Sequence, residues 1–350
     1  MANFRDVEPF LQNGGKIDPL SEIRNAGIVT NGSVFWVKDP SDNDYTTFKD
    51  QVGAANTADT IQDGVNKTRN DKNDYVFVAP KDSNGVWAPN GTAGTALVLN
   101  KARMHLISSG YQEGHFGYTN TIRAFATTAA YDTSIVKVFA PGVEFAGFRI
   151  LGTNGTSDNG TVTGGLLALG TASTGTAHGF NMHDSSVENS QAAAAGGTID
   201  IVTISGDVGG GIVGPRFDNV WIGAASWAPA ALVRMSGTAG PTRTVFDSCT
   251  FVIDAQATTD SFITIGTGAM EYTIFKNSDF INVEAGTLPA SALVGAVLVD
   301  NPVLLRNNSY VNVTQAGTDT EVFKSPAASG TAASVRDYGI AIGTAALTPV

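Results

Sequence analysis

The sequence predicts an all-β fold, a right-handed parallel β-helix (a solenoid of stacked coils) with a short N-terminal capping helix and an N-terminal arm. Three observations carry that expectation. Two unrelated strings recur with a common period near 30 residues. The strings are short, rich in β-branched and aromatic residues, and followed by glycine or polar turn residues. The chain is also poor in charge, at 15% against roughly 25% in ordinary soluble proteins, and it contains 40 glycines.

The first string is aromatic-x-Asn-x-x-aromatic, loosely kept. It reads Phe217 to Ile222, Phe246 to Phe251, Phe275 to Phe280 and Leu305 to Tyr310, and its starts at 217, 246, 275 and 305 lie 29, 29 and 30 residues apart. Weaker copies stand at Phe145 to Ile150 and Met182 to Val187. The second string begins at Ile201, Leu232 and Phe262, spacings of 31 and 30, and Ala296 to Val299 and Val322-Phe323 are expected to continue it. Shared periods of this length mark a repeat architecture. No ten-residue helical pattern separates the strings, so leucine-rich repeats and βαβ units fit poorly, and propeller blades need longer units. A coil of two or three short strands, each pairing with its equivalent one coil away, fits the period.

Within the first string, positions one and six are both expected to point inward. Simple alternation cannot do this, because an odd step changes face. A bend is needed, and position three is its natural place, since Asn tolerates the left-handed conformation. Asn219, Ser248, Asn277 and Asn307 are therefore expected to stack as a polar ladder, amide to amide. Position two gives a column of Asp218, Asp247, Lys276 and Arg306, which reads as an exposed, partly compensated stripe.

The divisions follow. Residues 1–33 form an arm with little periodicity, 34–325 the β-helix, and 326–350 a tail or last strand, with Tyr338 to Gly343 the candidate strand. A capping helix is predicted near 58–69, with Ile61 and Val65 on one face and Thr57 or Asp59 as N-cap. It would plug the open end of the solenoid. Residues 75 to 180 look irregular, with insertions at Thr153 to Gly165 and Gly170 to Gly179.

Charge and cysteine content exclude several functions. A net charge of −11 repels phosphate backbones and anionic lipid, so neither nucleic acid nor membrane is an expected partner. Cys249 is the only cysteine, in an apolar stretch, so no intrachain disulfide or cysteine metal cluster can form and a buried, inert thiol is expected. Met1 to Gln12 lacks the basic start and apolar run of a secretory signal, which predicts synthesis in a cytoplasm without export.

Two stretches add a resemblance. Val34 to Val37, the helix around Ile61 to Val65, and Asn73 to Pro80 resemble the opening of phage-encoded β-helix proteins, and Leu97 to Gly110 resembles their next coil. The Asn-centred repeat is similar to the asparagine ladder of the pectate-lyase-like superfamily. The resemblance covers about residues 34 to 315; residues 1–33 lie outside it. It implies a virion protein made in the host cytoplasm and released by lysis: a capsid decoration, fibre or tailspike, commonly a homotrimer. The arm would contact other virion proteins, and a host surface glycan is a further candidate partner.

Candidate chemistry is sparse. Hydrolysis of a glycan needs two carboxylates about 5 to 9.5 Å apart, a spacing Asp218 and Asp247 could meet on neighbouring coils. The alternative is a solvated stripe continued by Lys276 and Arg306, and it is the favoured one, so no catalytic residue is assigned. His105, His115, His178 and His183 show no metal-ligand spacing. Asp39, Asp42, Asp44 and Asp50 suit calcium by type but lack the EF-hand order. Gly209 to Gly214 formally matches G-x-G-x-x-G, yet Pro215 and a strand follow it, so it reads as a loop. No metal or cofactor is expected. Trp87, Trp221 and Trp227 are candidates for sugar contacts, although Trp221 is expected in the core. The sequons at Asn154 and Asn159 carry no meaning without export. The leading expectation is a structural virion protein rather than an enzyme; the rivals are a polysaccharide depolymerase and a glycan or receptor binder.

Overall fold

The computed structural model describes residues 32–81, 85–90, 95–109, 120–123, 134–152, 165–170, 176–189, 200–205, 211–224, 231–237, 240–254, 261–265, 273–283, 291–295, 303–311, 323–324 and 336–337. It is a right-handed parallel β-helix. Every strand pairing among the described residues is parallel, each strand lying on its equivalent one coil away. Three faces run along the solenoid. The first two share one 17-stranded sheet that turns a corner, and the third is an 8-stranded sheet.

The corner is the bend that the repeat demanded. Asp184, Asn219, Ser248, Asn277 and Asn307 all adopt left-handed backbone, with φ between 50° and 57°. That single residue breaks the alternation, so Phe217 and Ile222, Phe246 and Phe251, and Phe275 and Phe280 all point inward and are buried. Stacking one coil on the next stacks their rings. Phe217 lies 4.7 Å from Phe246, Phe246 lies 4.8 Å from Phe275, and Phe251 lies 4.7 Å from Phe280, with the planes within 14° of parallel. The ring spacing equals the strand spacing, so the backbone ladder sets the aromatic spine. The weaker copies fall in the same register, Phe145 on Met182 on Phe217.

Third-face strands supply the rest of the core. Leu97, Val136, Leu167, Val202, Val233 and Ile263 form one inward column, each paired in register with the next. The column continues through Leu293 and Phe323. The continuation among the described residues is therefore Ser291–Gly295, and Ala296 to Val299 lies outside them. A 30-residue step from Ile263 lands on Leu293.

The expected ladder is corrected in detail. Only Asn307 to Asn277 joins amide to amide, Nδ2 donating to Oδ1 at 3.0 Å. Asn277 donates to the Asp247 carboxylate at 3.2 Å, and Asn219 to that of Asp184 at 2.7 Å. A second ladder runs one residue further on, inside the corner. Ser185, Cys249, Ser278 and Asn308 are buried there. The Cys249 N–H donates to Ser278 Oγ at 3.1 Å, and the Ser278 N–H to Asn308 Oδ1 at 3.0 Å. These side chains satisfy amides that the bend would otherwise leave unpaired.

The N-terminal end also differs from expectation. The helix near 58–69 is shorter, α2 at Ile61–Lys67, and its N-cap is Thr60, whose Oγ1 accepts from the Asp63 N–H at 3.0 Å. Thr57–Ala58 is instead a strand on Trp36–Val37, which takes Thr57 away from the helix, and Thr60 rather than Asp59 caps it. Ile61 and Val65 are fully buried, as the pattern required. Gly64 lets the helix lie against the first coils, since a Cβ there would stand 2.7 Å from Val37 and 2.9 Å from Val76. An unforeseen helix, α1 at Tyr45–Val52, precedes it. Residues 1–31, the insertion at 153–164 and the segment Tyr338 to Gly343 lie outside the described residues. Arg336–Asp337, just before that segment, pairs with Leu304–Leu305.

Candidate functional site

The outward side of the first face changes character along the axis. One outward column reads Trp36, Phe77, Ile107, Ala146, His183, Asp218, Asp247, Lys276, Arg306. Its first four members are buried in one apolar cluster with Val34 and Val52, against which Phe48 and Tyr75 pack. Trp36 meets Phe48 edge-on at 5.8 Å and stacks on Phe77 at 5.1 Å. The remaining members are polar and face solvent in varying degree. The functional surface begins where the apolar cover ends.

At that boundary stands a cluster that sequence reasoning missed. Glu144 bridges two histidines: His105 Nδ1 contacts its Oε2, and His183 Nε2 lies 2.9 Å from its Oε1. His183 Nδ1 in turn meets Asp184 Oδ2 at 2.9 Å. Tyr75 stacks on His105 with centroids 4.1 Å apart. Burial alone would raise the Glu144 pKa, but the two histidines outweigh it and hold the carboxyl down at about 2. Burial alone would lower that of His183, but Asp184 and Glu144 outweigh it and raise it to about 9. The result is a chain of alternating imidazoles and carboxylates across three coils. Its residues are 39 apart, not 29 or 30, because the coils here carry insertions. The period that revealed the later repeats therefore could not reveal this set.

Asp218 and Asp247 are adjacent in the column, as expected. They share a cation. Arg216 Nη2 lies 3.0 Å from Asp218 Oδ2 and 3.2 Å from Asp247 Oδ2, and Lys276 Nζ lies 2.6 Å from Asp247 Oδ2. Burial acts to raise the Asp247 pKa, yet Lys276, Asn277 and Arg216 bring it below the ordinary carboxylate value. Between this pair and the histidine chain opens a cleft of about 690 Å³. Its polar walls include His183, Asp184, Arg216, Asp218, Asn219 and Ser248. Gly179 and Gly214, both with left-handed backbone, also line it, and a Cβ on either would meet nothing within 4 Å.

The other candidates disperse. His178 Nδ1 accepts the Val213 N–H at 2.9 Å, a structural bond. Lys38 pairs with Asp42 at 3.0 Å and Asp44 at 2.9 Å, while Lys81 pairs with Asp39. Among the described residues, no group of three or more His, Cys, Asp or Glu is arranged to hold a metal ion. Cys249 is buried, and burial pushes its thiol up to about 12. Trp87 is core rather than a surface platform, its Nε1 donating to Asn120 Oδ1 at 2.9 Å. Trp221 is the reverse: it is position five of its repeat, so it points outward and is half-buried, its ring lying along the strand over Gly223. Ile222 takes the core place expected for it. Gly211 to Gly214 carries an isolated bridge from Val213 to Thr242 and no helix follows; Gly209 and Gly210, His115, Trp227, Asn154 and Asn159 lie outside the described residues. No helix among the described residues is long and apolar enough to cross a membrane.

No family model and no curated protein matches this sequence. Solved structures do. Pectin methylesterase PemA from Erwinia chrysanthemi is similar at a TM-score of 0.50 and 15% identity, over 91% of this chain and 90% of that one. The Acinetobacter baumannii phage AM24 tailspike protein is similar at 0.41 and 13%, over 81% of this chain and 51% of that one. ORF18 of Geobacillus virus E2 is similar at 0.38 and 9%, over 94% and 65%. At such identities the likeness to the esterase is one of fold alone, the parallel β-helix.

Proposed function

We propose that this protein is a structural component of a phage particle, a capsid decoration, fibre or spike whose solenoid serves as a rigid surface element. The observation that carries the reading is the unbroken in-register stack. Coil after coil rests its backbone in register on the one before, and those of Phe217, Phe246 and Phe275 also stack their rings. Such a rod resists bending because every layer is tied by hydrogen bonds along its length. The resemblance of residues 34 to 315 to phage-encoded β-helix proteins supplies the biological setting. In this reading residues 1–33 anchor the protein to other virion proteins, and three copies associate, which would shield lateral faces.

The charged face supports this reading over a depolymerase. Glycoside hydrolysis uses one carboxyl kept protonated at working pH beside one kept ionised. Here Asp218 and Asp247 share Arg216, and Lys276 further holds Asp247 ionised. Cryo-electron microscopy of the intact particle tests the proposal through position and copy number. Density for the β-helix at the capsid or tail surface, in multiples of three, is the expected result. Absence of the chain from purified particles would overturn it.

A further inference from the structure

We propose that the cleft between His183 and Asp218 is a binding site for a neutral, hydroxyl-rich ligand, a saccharide bearing no carboxylate, phosphate or ammonium group. The inference does not depend on the particle assignment. It begins from the walls. Asp184 and Asp218 present acceptors, Arg216 and Asn219 present donors, and Ser248 presents both. Sugar hydroxyls donate and accept at once, and vicinal pairs match carboxylate and guanidinium edges two atoms at a time.

The charges in and beside the cleft are already matched. Arg216 is held between Asp218 and Asp247, and His183 between Glu144 and Asp184. An anionic ligand entering the cleft meets Asp184 and Asp218, and a cationic one meets Arg216 and the protonated His183. Either finds a like charge that its attraction to the opposite one does not repay, whereas a neutral polyol is penalised by neither. The walls are also preorganised. Asn219 is tied to Asp184 at 2.7 Å, and Arg216, Asp218 and Ser248 stand on or next to hydrogen-bonded strands of the first face. Little side-chain freedom remains to be lost on binding. The open space beside Gly179 and Gly214 leaves room for a ring to lie against the backbone.

Saturation-transfer difference NMR and calorimetric titration on the full-length chain test this. The probes are methyl glycosides of glucose, galactose and mannose, and N-acetylglucosamine, with galacturonic acid and glucosamine as charged counterparts. At least one neutral sugar is expected to bind saturably with Kd of about 1–10 mM, a range typical of a single small ligand with a few hydrogen bonds. Asp218→Asn is expected to weaken it about tenfold through loss of a charge-assisted bond. Asn219→Gly keeps the left-handed backbone, removes the amide, and serves if Asp218→Asn disturbs folding, as read by circular dichroism. The proposal is overturned if no neutral probe saturates at about 50 mM, if both variants bind like wild type, or if a charged counterpart binds more tightly than its neutral parent.

Discussion

At the corner of each coil one residue carries the bend. Asn277 illustrates what it does: φ is 52°, its amide donates to Asp247, and it accepts from Asn307. A β-carbon without a polar head gains nothing from the left-handed region and pays about 1–2 kcal/mol to occupy it. Asn277→Ala is therefore expected to lose about 1–3 kcal/mol, counting the two hydrogen bonds. Asn277→Gly recovers the backbone share and loses only the bonds. Urea midpoints for the pair check this, and equal losses would show that the backbone conformation is not the cause. The bend was legible because an odd step between two inward aromatics requires one. The buried ladder at Ser185, Cys249, Ser278 and Asn308 was not, since these four residues share no chemistry beyond small size and a polar head.

Along an element the unit of stability is the column rather than the strand. Phe246 sits between Phe217 and Phe275, with interplanar angles of 11° and 1°, and meets Phe251 edge-on at 5.6 Å. Removing its ring opens a cavity that two stacked neighbours cannot fill, because their positions are fixed by the backbone ladder. Phe246→Ala is expected to cost about 3–5 kcal/mol, and Phe246→Leu distinctly less. Thermal unfolding of both variants checks this. Trp221, by contrast, shows how a one-residue shift in reading a repeat reverses a side chain. Ile222, at position six, lies in the core, whereas Trp221, at position five, lies on the surface over Gly223.

For the whole molecule, the Glu144 chain couples stability to pH. The pKa of His183 rises from 6.5 to about 9 on folding, so its contribution is complete below pH 6.5 and is lost as pH rises through about 9. That of Glu144 falls from 4.5 to about 2, so its contribution is complete above pH 4.5 and is lost as pH falls through about 2. This pair therefore stabilises most between about pH 4.5 and 6.5, and its share falls away on both sides. Melting temperature followed across pH 2 to 10 should show both limbs. Glu144→Gln should flatten them and lower the plateau by about 1–3 kcal/mol, since two imidazoles lose a charged partner. In a solenoid each coil contacts only its neighbours, so the loss should concentrate in the coils of His105, Glu144 and His183. Hydrogen exchange resolves that distribution.

The amino-acid sequence by itself determined the coil: its period near 30, its inward aromatics, the residue that bends it, and the acid-then-base order of Asp218, Asp247, Lys276 and Arg306. All of these are properties of a repeating unit, and repetition is visible in one dimension. Only the tertiary structure decided what the coils bring together where their lengths differ. Glu144 meets His105 and His183 across steps of 39 residues, and Trp36, Phe77, Ile107 and Ala146, from four separate coils, join Val52 of α1 in one apolar cluster. The reason is physical: register between coils is set by backbone hydrogen bonds, which ignore how many residues each loop contains.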